Sequence, residues 1–423
     1  MRKVKLSIFL SLVVIAVSIG LVVGREGLLR AVEGPTPTAM PAEPVLPEIP
    51  MPTVSPIQGV LATLPPVEVG KLVQLPPVLK AKILYSGSKS EREGGYYLLD
   101  PETGEEIRLE PFPPDQGGGA PGATMRVSPT GEWVLYTLFN NLDPPEHLGI
   151  GSVWRMKPDG SDKQMLTGSD ELSYPANAIW SPDGKRIAYL RFPDPEAVRE
   201  GRRKSEEVEL WVMNADGSEQ RRVALLPFTE HIFGTNNSMQ WLLDDCIYIV
   251  TGITTQGEWL RINPHDGEVT RLLEGIQPWD IVLSPDTRWI LVSGAMTEEK
   301  IRALGRQPLR LPSVPAWDRT GERVAFVQFP YPYDPQPNRD PGVWVYDLRT
   351  GQETRLTMPD GDTPSRYDQL VWSPDGGMLL CDTIEGLYVL EVENKAARLV
   401  VPNPWAKEGI ANIHFVGWVP VLP

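Results

Sequence analysis

Histidines, cysteines and paired carboxylates are the side chains that most often hold metals or transfer protons, and in this sequence they are few and scattered. No Cys-x-x-Cys pair occurs, and the Asp-rich turns at 159–162 and 216–219 lack the remaining positions of a calcium loop. The four histidines are far apart, at His147, His231, His265 and His414. We therefore predict no metal and no cofactor, and interpret these aspartates as turn residues.

Nucleophilic catalysis has equally little support in the sequence. A serine hydrolase of the α/β type needs a Gly-x-Ser-x-Gly turn that exposes its serine, and no such pentapeptide occurs. Carboxylates such as Glu146, Asp194 and Asp334 could act as an acid and base pair in a hydrolase or lyase, although no spacing selects them. We predict no catalytic residues, and an enzyme of this carboxylate type is the alternative.

Residue types that dominate binding surfaces are concentrated in a few loops, above all in 329–340. Tyrosine, tryptophan and arginine are the types most often found at the centre of protein interfaces. The predicted ligand-binding residues are His231, Phe233, Trp279, Tyr331, Tyr333, Asp334, Arg339, Tyr367 and Trp405. A second interpretation stays open, in which these aromatic side chains only pack the loops against their own strands.

The element that must position these loops is a repeated hairpin. Trp180 to Tyr189 reads Trp-Ser-Pro-Asp-Gly-Lys-Arg-Ile-Ala-Tyr, which indicates a strand, a tight turn and a second strand, because Pro fixes φ and Gly accepts positive φ. Similar units begin near positions 127, 283, 317 and 372, and a weaker copy begins at Trp241. A repeat of short strands at this spacing is typical of a β-propeller.

The repeat predicts an all-β fold, a single β-propeller with seven blades. The C-terminal stretch from Ile413 to Val421 is expected to pair with Lys82 to Ser86 and so to close the ring. The stretch from Asp280 to Leu311 is short for a blade, and if it is incomplete the propeller has six blades. In either case the propeller is predicted to span residues 78–423.

The repeat resembles that of the TolB-type (WD40-like) β-propellers, which also occurs in the propeller domains of prolyl-oligopeptidase-like peptidases. Trp-Ser-Pro-Asp-Gly at 180–184 and 372–376 and Asn-Ala-Asp-Gly-Ser at 214–218 carry the resemblance, which covers roughly residues 80–423. It implies an exported scaffold that binds proteins or peptides and implies no catalytic residues. TolB itself has an additional N-terminal α/β domain, in whose place this chain has a proline-rich segment.

Loop lengths distinguish the two faces of the predicted propeller. The first-to-second and third-to-fourth turns of each unit share one face and are tight, whereas the longer inserts belong to the opposite face. Functional residues tend to collect on such inserts. The inserts are 140–148, 191–207, 228–237, 329–342, 358–368 and 403–411.

The N-terminal region predicts export. Arg2, Lys3 and Lys5 precede an uncharged run from Leu6 to Gly24 that is long enough to span a bilayer, so residues 1–30 are a membrane anchor or, alternatively, a cleaved signal peptide. Residues 31–77 are rich in proline, which favours an extended linker.

Charge and cysteine content narrow the function further. The net charge of -15 argues against nucleic-acid binding, and Cys246 and Cys381 are expected to be buried thiols rather than a disulfide. The sequence therefore predicts a monomeric, non-enzymatic binding scaffold of the cell envelope, outside the cytoplasm. Its expected partner is an envelope protein, peptide or glycan, and the membrane is contacted only through the N-terminal segment.

Overall fold

The fold was determined as a computed structural model, which describes seventeen stretches of the chain. They are 62–75, 78, 80–88, 94–111, 125–140, 150–205, 207–227, 239–251, 257–276, 281–292, 302, 304–309, 315–328, 342–356, 367–383, 385–408 and 413–421. The predicted anchor at 1–30 and most of the predicted linker at 31–77 lie outside them. Among the described residues no helix is both long and apolar enough to cross a membrane.

Hairpins dominate the described residues and assemble into seven small sheets, numbered here in chain order. Sheet 1 has the order β27 (Ile413–Val421), β1 (Lys80–Ser88), β2 (Gly94–Leu99), β3 (Glu106–Pro111). Sheet 2 has the order β4 (Arg126–Val127), β5 (Val134–Asn140), β6 (Ile150–Met156), β7 (Gln164–Gly168). Sheet 3 has the order β8 (Ser173–Trp180), β9 (Arg186–Pro193), β10 (Glu207–Asn214), β11 (Arg221–Pro227). Sheet 4 has the order β12 (Met239–Trp241), β13 (Ile247–Val250), β14 (Gly257–Ile262), β15 (Val269–Ile276).

The remaining sheets follow the same plan with one exception. Sheet 5 has the order β16 (Ile281–Leu283), β17 (Trp289–Val292), β18 (Gln307–Leu309). Sheet 6 has the order β19 (Ala316–Trp317), β20 (Arg323–Gln328), β21 (Gly342–Asp347), β22 (Gln352–Leu356). Sheet 7 has the order β23 (Tyr367–Trp372), β24 (Met378–Thr383), β25 (Gly386–Glu391), β26 (Ala396–Pro402). Short helices are α1 (Pro195–Arg199) and the 3-10 turns Val69–Lys71 and Ala406–Glu408.

The expectation of seven complete blades is wrong, and the six-bladed count holds. Six sheets have four strands, while sheet 5 has three among the described residues. Its third strand pairs parallel to its second, with Trp289 opposite Gln307. A parallel pair needs a crossover rather than a hairpin, so sheet 5 departs from the antiparallel plan of the other sheets within the described part of this stretch.

Apolar side chains hold neighbouring sheets together along the chain. One cluster joins sheets 3 and 4, and others join sheets 2 and 3, 4 and 5, 6 and 7, and 7 and 1. The strands therefore carry apolar residues on both faces, as a sheet buried between two others requires. Cys246 and Cys381 are buried free thiols within two of these clusters, which confirms the prediction for them. Burial raises the pKa of Cys246 to about 12, so this thiol is chemically inert at neutral pH.

Tryptophan residues at the ends of innermost strands link these strands to the preceding innermost strand. Trp180 donates its indole N–H to the carbonyl of Arg126 on the preceding innermost strand at 2.9 Å. Trp372 donates in the same way to Ala316 at 2.9 Å. This repeated bond explains why the sequence places tryptophan immediately before the Ser-Pro-Asp-Gly turn, because a buried indole needs an acceptor.

Candidate functional site

The two ends of the sheets differ in the chemistry of their connections. We call the end with the first-to-second and third-to-fourth turns the turn face, and the opposite end the loop face. Every described Ser-Pro-Asp turn lies on the turn face because it follows the innermost strand. Of the predicted binding residues that the structure describes, Tyr367 begins β23 and Trp405 follows β26, so both border the loop face.

The Ser-Pro-Asp-Gly turn satisfies its own polar groups. In the turn after β23, the Ser373 hydroxyl donates to Asp375 at 2.6 Å and accepts from the Met378 amide at 2.8 Å. The turn after β8 repeats this, with Ser181 donating to Asp183 at 2.7 Å and accepting from Arg186 at 2.9 Å. These serines and aspartates are occupied by the turn, so the turn face offers no nucleophile at these positions.

The Asp-rich turns between third and fourth strands are also self-contained. The carboxylate of Asp159 accepts from both the amide and the hydroxyl of Ser161, and these bonds hold its pKa below its usual value. Asp216 and Ser218 repeat the arrangement. Among the described residues no group of three or more His, Cys, Asp or Glu side chains could hold a metal ion. Here, too, the carboxylates act as turn residues.

Of the nine predicted binding residues, the structure describes the surroundings of one and the backbone of a second. Seven lie outside the described residues, namely His231, Phe233, Trp279, Tyr331, Tyr333, Asp334 and Arg339. Tyr367 begins β23 at its loop-face end and pairs with Thr383. Trp405 follows β26 and is half-buried. Sheet 7 thus supplies both of the predicted positions that can be placed.

The loop-face corner of sheet 7 is held by three hydrogen bonds to backbone groups. The Asn403 amide donates to the Glu385 carbonyl at 2.8 Å, which ties the segment after β26 to the turn after β24. The Asn403 side chain accepts from the Trp405 amide at 3.1 Å, an arrangement that fixes the start of the 3-10 turn. Thr383 donates to the Gly386 carbonyl at 2.9 Å inside the same corner. Trp405 therefore stands on a rigid backbone.

Gly386 is required by the close approach of two strands at this corner. A Cβ on Gly386 would lie 1.9 Å from the carbonyl oxygen of Val401, and its φ of +131° is open to glycine but rarely to other residues. The Tyr388 hydroxyl donates to Glu385 at 2.8 Å and braces the turn from inside the sheet. Asp382 is buried beneath the corner, where its carboxylate accepts from the Phe415 amide of sheet 1 at 3.5 Å.

The loop face of sheet 3 carries the longest connection that the structure describes without a large gap. It begins with Asp194, whose carboxylate accepts from the Glu196 and Ala197 amides and caps α1. Arg203 from this connection pairs with Glu209 of β10, and Glu209 also accepts from the Trp211 indole at 2.9 Å. Glu209 is 7% exposed, so this ion pair anchors the connection to the sheet.

A second ion pair secures the neighbouring connection. Arg191, which is 8% exposed at the end of β9, donates to the Ser173 hydroxyl at 2.8 Å and pairs with Asp170. Partial burial raises the pKa of Asp170, but amide bonds from Leu172 and Ser173 together with Arg191 hold it below its usual value. The sequence analysis did not identify Arg191 or Asp382 as residues that hold the loop face. The signal that could have identified them is a charged residue at the end of an apolar strand.

Comparisons with known proteins agree with this fold. Residues 82–224 match the family model described as the dipeptidyl peptidase IV (DPP IV) N-terminal region. No curated protein sequence matches the chain.

Several solved structures are similar to this chain at low identity. TolB from Acinetobacter baumannii is 14% identical with a TM-score of 0.41, covering 82% of this chain and 68% of that one. A structure from an analysis of two prolyl endopeptidases is 15% identical with a TM-score of 0.45, covering 82% of this chain and 51% of that one. The β-propeller domain of the Trilobed protease from Pyrococcus furiosus is 11% identical with a TM-score of 0.33, covering 78% of this chain and 86% of that one.

The family match over residues 82–224 confirms the resemblance carried by the repeat. The described residues form small sheets that are antiparallel except for one strand pair in sheet 5, and they contain no α/β-hydrolase domain. They therefore form a TolB-type β-propeller without a hydrolase domain among the described residues.

Proposed function

We propose that this protein is a non-enzymatic binding scaffold that captures a protein, peptide or glycan of the cell envelope on its loop face. The observation that carries the proposal is the contrast between the two faces. The turns of the turn face are short and use their own polar groups, whereas the loop face has the long connections, anchored to the sheets by ion pairs and backbone bonds. Long connections on a rigid support are the usual location of binding residues.

The alternative, a hydrolase or lyase with carboxylates at the channel mouth, has less support. Of its three candidate carboxylates, Glu146 and Asp334 lie outside the described residues. Asp194 accepts two amide hydrogen bonds as the cap of α1 at 2.9 and 3.1 Å. A carboxylate used in this way is a structural group, since proton transfer would release the cap.

We also propose that the C-terminal strand closes the ring. Two observations support this proposal. β27 pairs with β1 from Lys80 opposite Val421 to Gly87 opposite Ile413. Trp418 of β27 donates its indole N–H to the Val371 carbonyl of sheet 7 at 3.3 Å, which repeats the bond seen for Trp180 and Trp372.

The location of the protein is part of the same proposal. Residues 1–30 would hold the chain in the membrane, or direct its secretion if they are cleaved, and the proline-rich residues that follow would separate the propeller from the bilayer. The propeller would then act as a monomer outside the cytoplasm. Its net charge of -15 favours a partner surface that is not strongly acidic.

The test is to identify the partner and to measure its affinity for loop-face variants. The full chain is expressed in membranes and crosslinked to envelope components, and the captured partner is then titrated against purified protein. The double variant Tyr331→Ala and Tyr333→Ala is expected to weaken binding about tenfold or more without lowering the melting midpoint. A loss of stability with unchanged affinity would instead support loop packing as the role of these residues.

A further inference from the structure

A segment before the first strand lies against the turn face of sheets 4 and 5. Its Leu64 amide donates to the Leu304 carbonyl at 3.0 Å, and its Val73 amide donates to the Leu243 carbonyl at 2.7 Å. Leu243 belongs to the turn after β12, and Leu304 lies just before β18. We call residues 62–73 the strap. The strap belongs to the same compact unit as the propeller, residues 54–423.

Leu64 inserts the strap into the apolar core between these two sheets. It is 3% exposed and packs in one cluster with residues of β13, β15, β16 and β17, and Ala62 packs against the edge of that cluster. Burial of a leucine side chain of this kind is among the stronger single contributions to a fold. The proline-rich segment is therefore not uniformly solvent-exposed, because this part of it supplies core.

Arg306 secures the strap from beneath. Its guanidinium donates to the Pro65 carbonyl at 2.6 Å, to the Gly305 carbonyl at 3.0 Å and to the Thr287 carbonyl. Arg306 is 8% exposed, so all these bonds are shielded from water. Burial lowers its pKa, and this effect outweighs the opposing influence of the Asp244 and Asp286 carboxylates.

The strap lies against sheet 5, for which the structure describes three strands. In the cluster between sheets 3 and 4, the following sheet 4 contributes Leu260 and Ile262 from its third strand β14. Between sheets 6 and 7, Leu390 of the third strand β25 contributes likewise. In the cluster between sheets 4 and 5, the described contributors on the sheet 5 side beyond β17 are Leu304 and the strap residue Leu64, and none comes from β18.

We propose that the strap is a structural part of the propeller and fills the sheet 5 side of its interface with sheet 4. That interface then depends on a residue of the proline-rich segment. This dependence does not rest on whether the loop face binds a partner, and the experiment below addresses it directly.

Hydrogen exchange of the full chain, followed by mass spectrometry, tests the strap directly. The Leu64 and Val73 amides are expected to exchange at least about tenfold more slowly than in an unstructured peptide of residues 62–75. The unsubstituted protein therefore gives a decisive result by itself. Exchange of this segment at the rate of the free peptide would overturn the proposal.

Variants extend the test to the sheets. Leu64→Asp should remove protection from residues 62–73 and accelerate exchange in 281–292 of sheet 5, while 378–390 of sheet 7 stays unchanged. Leu64→Met keeps the side-chain volume and should behave as the unsubstituted protein. Thr63→Asp, at an exposed neighbouring position, is the matched control and should have no effect. Equal acceleration in sheets 5 and 7 with Leu64→Asp would contradict a local role.

Arg306→Lys retains the charge but loses the planar fork that reaches three carbonyls. It is expected to release the strap and to increase exchange at residues 62–73. Arg349→Lys, an exposed arginine in a turn of sheet 6, should leave the exchange of these residues unchanged. Unaltered protection in Arg306→Lys would show that Leu64 alone holds the strap and that the Arg306 hydrogen bonds are not needed for it.

Discussion

The serine of the repeated turn is a structural group at the residue scale, although serine and aspartate next to each other could suggest catalysis. Ser373 is 1% exposed and uses its hydroxyl both as donor, to Asp375, and as acceptor, from the Met378 amide. Ser373→Ala is expected to destabilise the protein by about 1–2 kcal/mol, because the part-buried Met378 amide and the Asp375 carboxylate each lose a partner.

Denaturant unfolding of Ser373→Ala measures this loss. Ser218→Ala is the matched control, since Ser218 makes the same kind of bond to Asp216 in an exposed turn. Its cost should be well below that of Ser373→Ala. Equal losses of unfolding free energy in the two variants would mean that burial of the serine does not determine how much its hydrogen bond stabilises the protein.

Asp245 links sheets 3 and 4 by charge. Burial raises its pKa, but hydrogen bonds from Arg186 at 2.7 Å, His265 at 2.8 Å and Trp241 at 2.9 Å together hold the pKa below its usual value. A carboxylate whose pKa is lowered in the folded state stabilises the fold at pH values above its pKa in the unfolded chain, which is about 3.9. That stability is lost as the pH falls through the folded-state pKa.

The Asp245→Asn variant tests this assignment. Its deficit in unfolding free energy should be on the order of 1–2 kcal/mol above about pH 5 and should shrink as the pH falls below about 4. Unfolding curves at several pH values give the comparison. Glu393→Gln, at an exposed turn position, should show no such pH dependence, and a deficit in Asp245→Asn that persists at acid pH would contradict the charge interaction.

Residue types with local roles could be predicted from sequence, whereas long-range partners could not. The turn chemistry of Ser181 and Asp183 follows from residues two to five positions apart. Arg191 and Asp170 are 21 positions apart and meet because β9 pairs with β8, which begins three residues after Asp170. Spacing along the chain carries no information about such pairs.

At the scale of elements, the sheet 7 corner depends on one glycine. Gly386→Ala is expected to cost more than about 2 kcal/mol, because its Cβ would overlap the Val401 carbonyl and force β25 and β26 apart. Thermal unfolding measures the cost. Gly351 is the matched control, since its φ is also positive at +73° but a Cβ there meets nothing within 4 Å.

Gly351→Ala is expected to lower the unfolding free energy by about 1 kcal/mol, which is the effect of the positive φ alone. The difference between the two variants then reports the close approach at the corner. A Gly386→Ala protein as stable as Gly351→Ala would show that the strands can separate without loss.

The hairpin repeat predicted most strands, and sheet 5 shows where it failed. The turn after β16 obeys the repeat, with Ser284 donating to Asp286 at 2.6 Å. The third strand nevertheless runs parallel to the second, from Trp289 opposite Gln307. Local turn patterns identify hairpins, but they cannot show that a later strand returns by a crossover or that Pro65, 241 positions before Arg306, packs against this sheet.

At the scale of the whole molecule, the pairing of β27 with β1 is expected to be necessary for stability. A chain that ends after residue 412 would lose β27 and leave β1 with a free edge beside the apolar cluster of sheets 7 and 1. We expect it to aggregate or to lose cooperative unfolding. A chain shortened only by residues 422 and 423 retains β27 and should unfold as the full chain does.

Size-exclusion chromatography and calorimetry distinguish these outcomes. A soluble, cooperatively folding chain without residues 413–423 would contradict closure by the C-terminal strand. The binding residues remain a prediction at this scale, because seven of the nine lie outside the described residues while Trp405 and the Tyr367 backbone share one corner.

The claim that binding belongs to the loop face is tested most directly by two tryptophans of similar burial on opposite faces. Trp405 lies on the loop face, and Trp133 lies at the turn face between the charged groups of Arg155 and Lys157, each 3.9 Å from its ring. The partner captured by crosslinking is titrated against Trp405→Ala and Trp133→Ala, with both melting midpoints recorded. We predict that Trp405→Ala weakens binding about tenfold or more while Trp133→Ala changes stability but not affinity. Loss of affinity in Trp133→Ala with full affinity in Trp405→Ala would contradict the account.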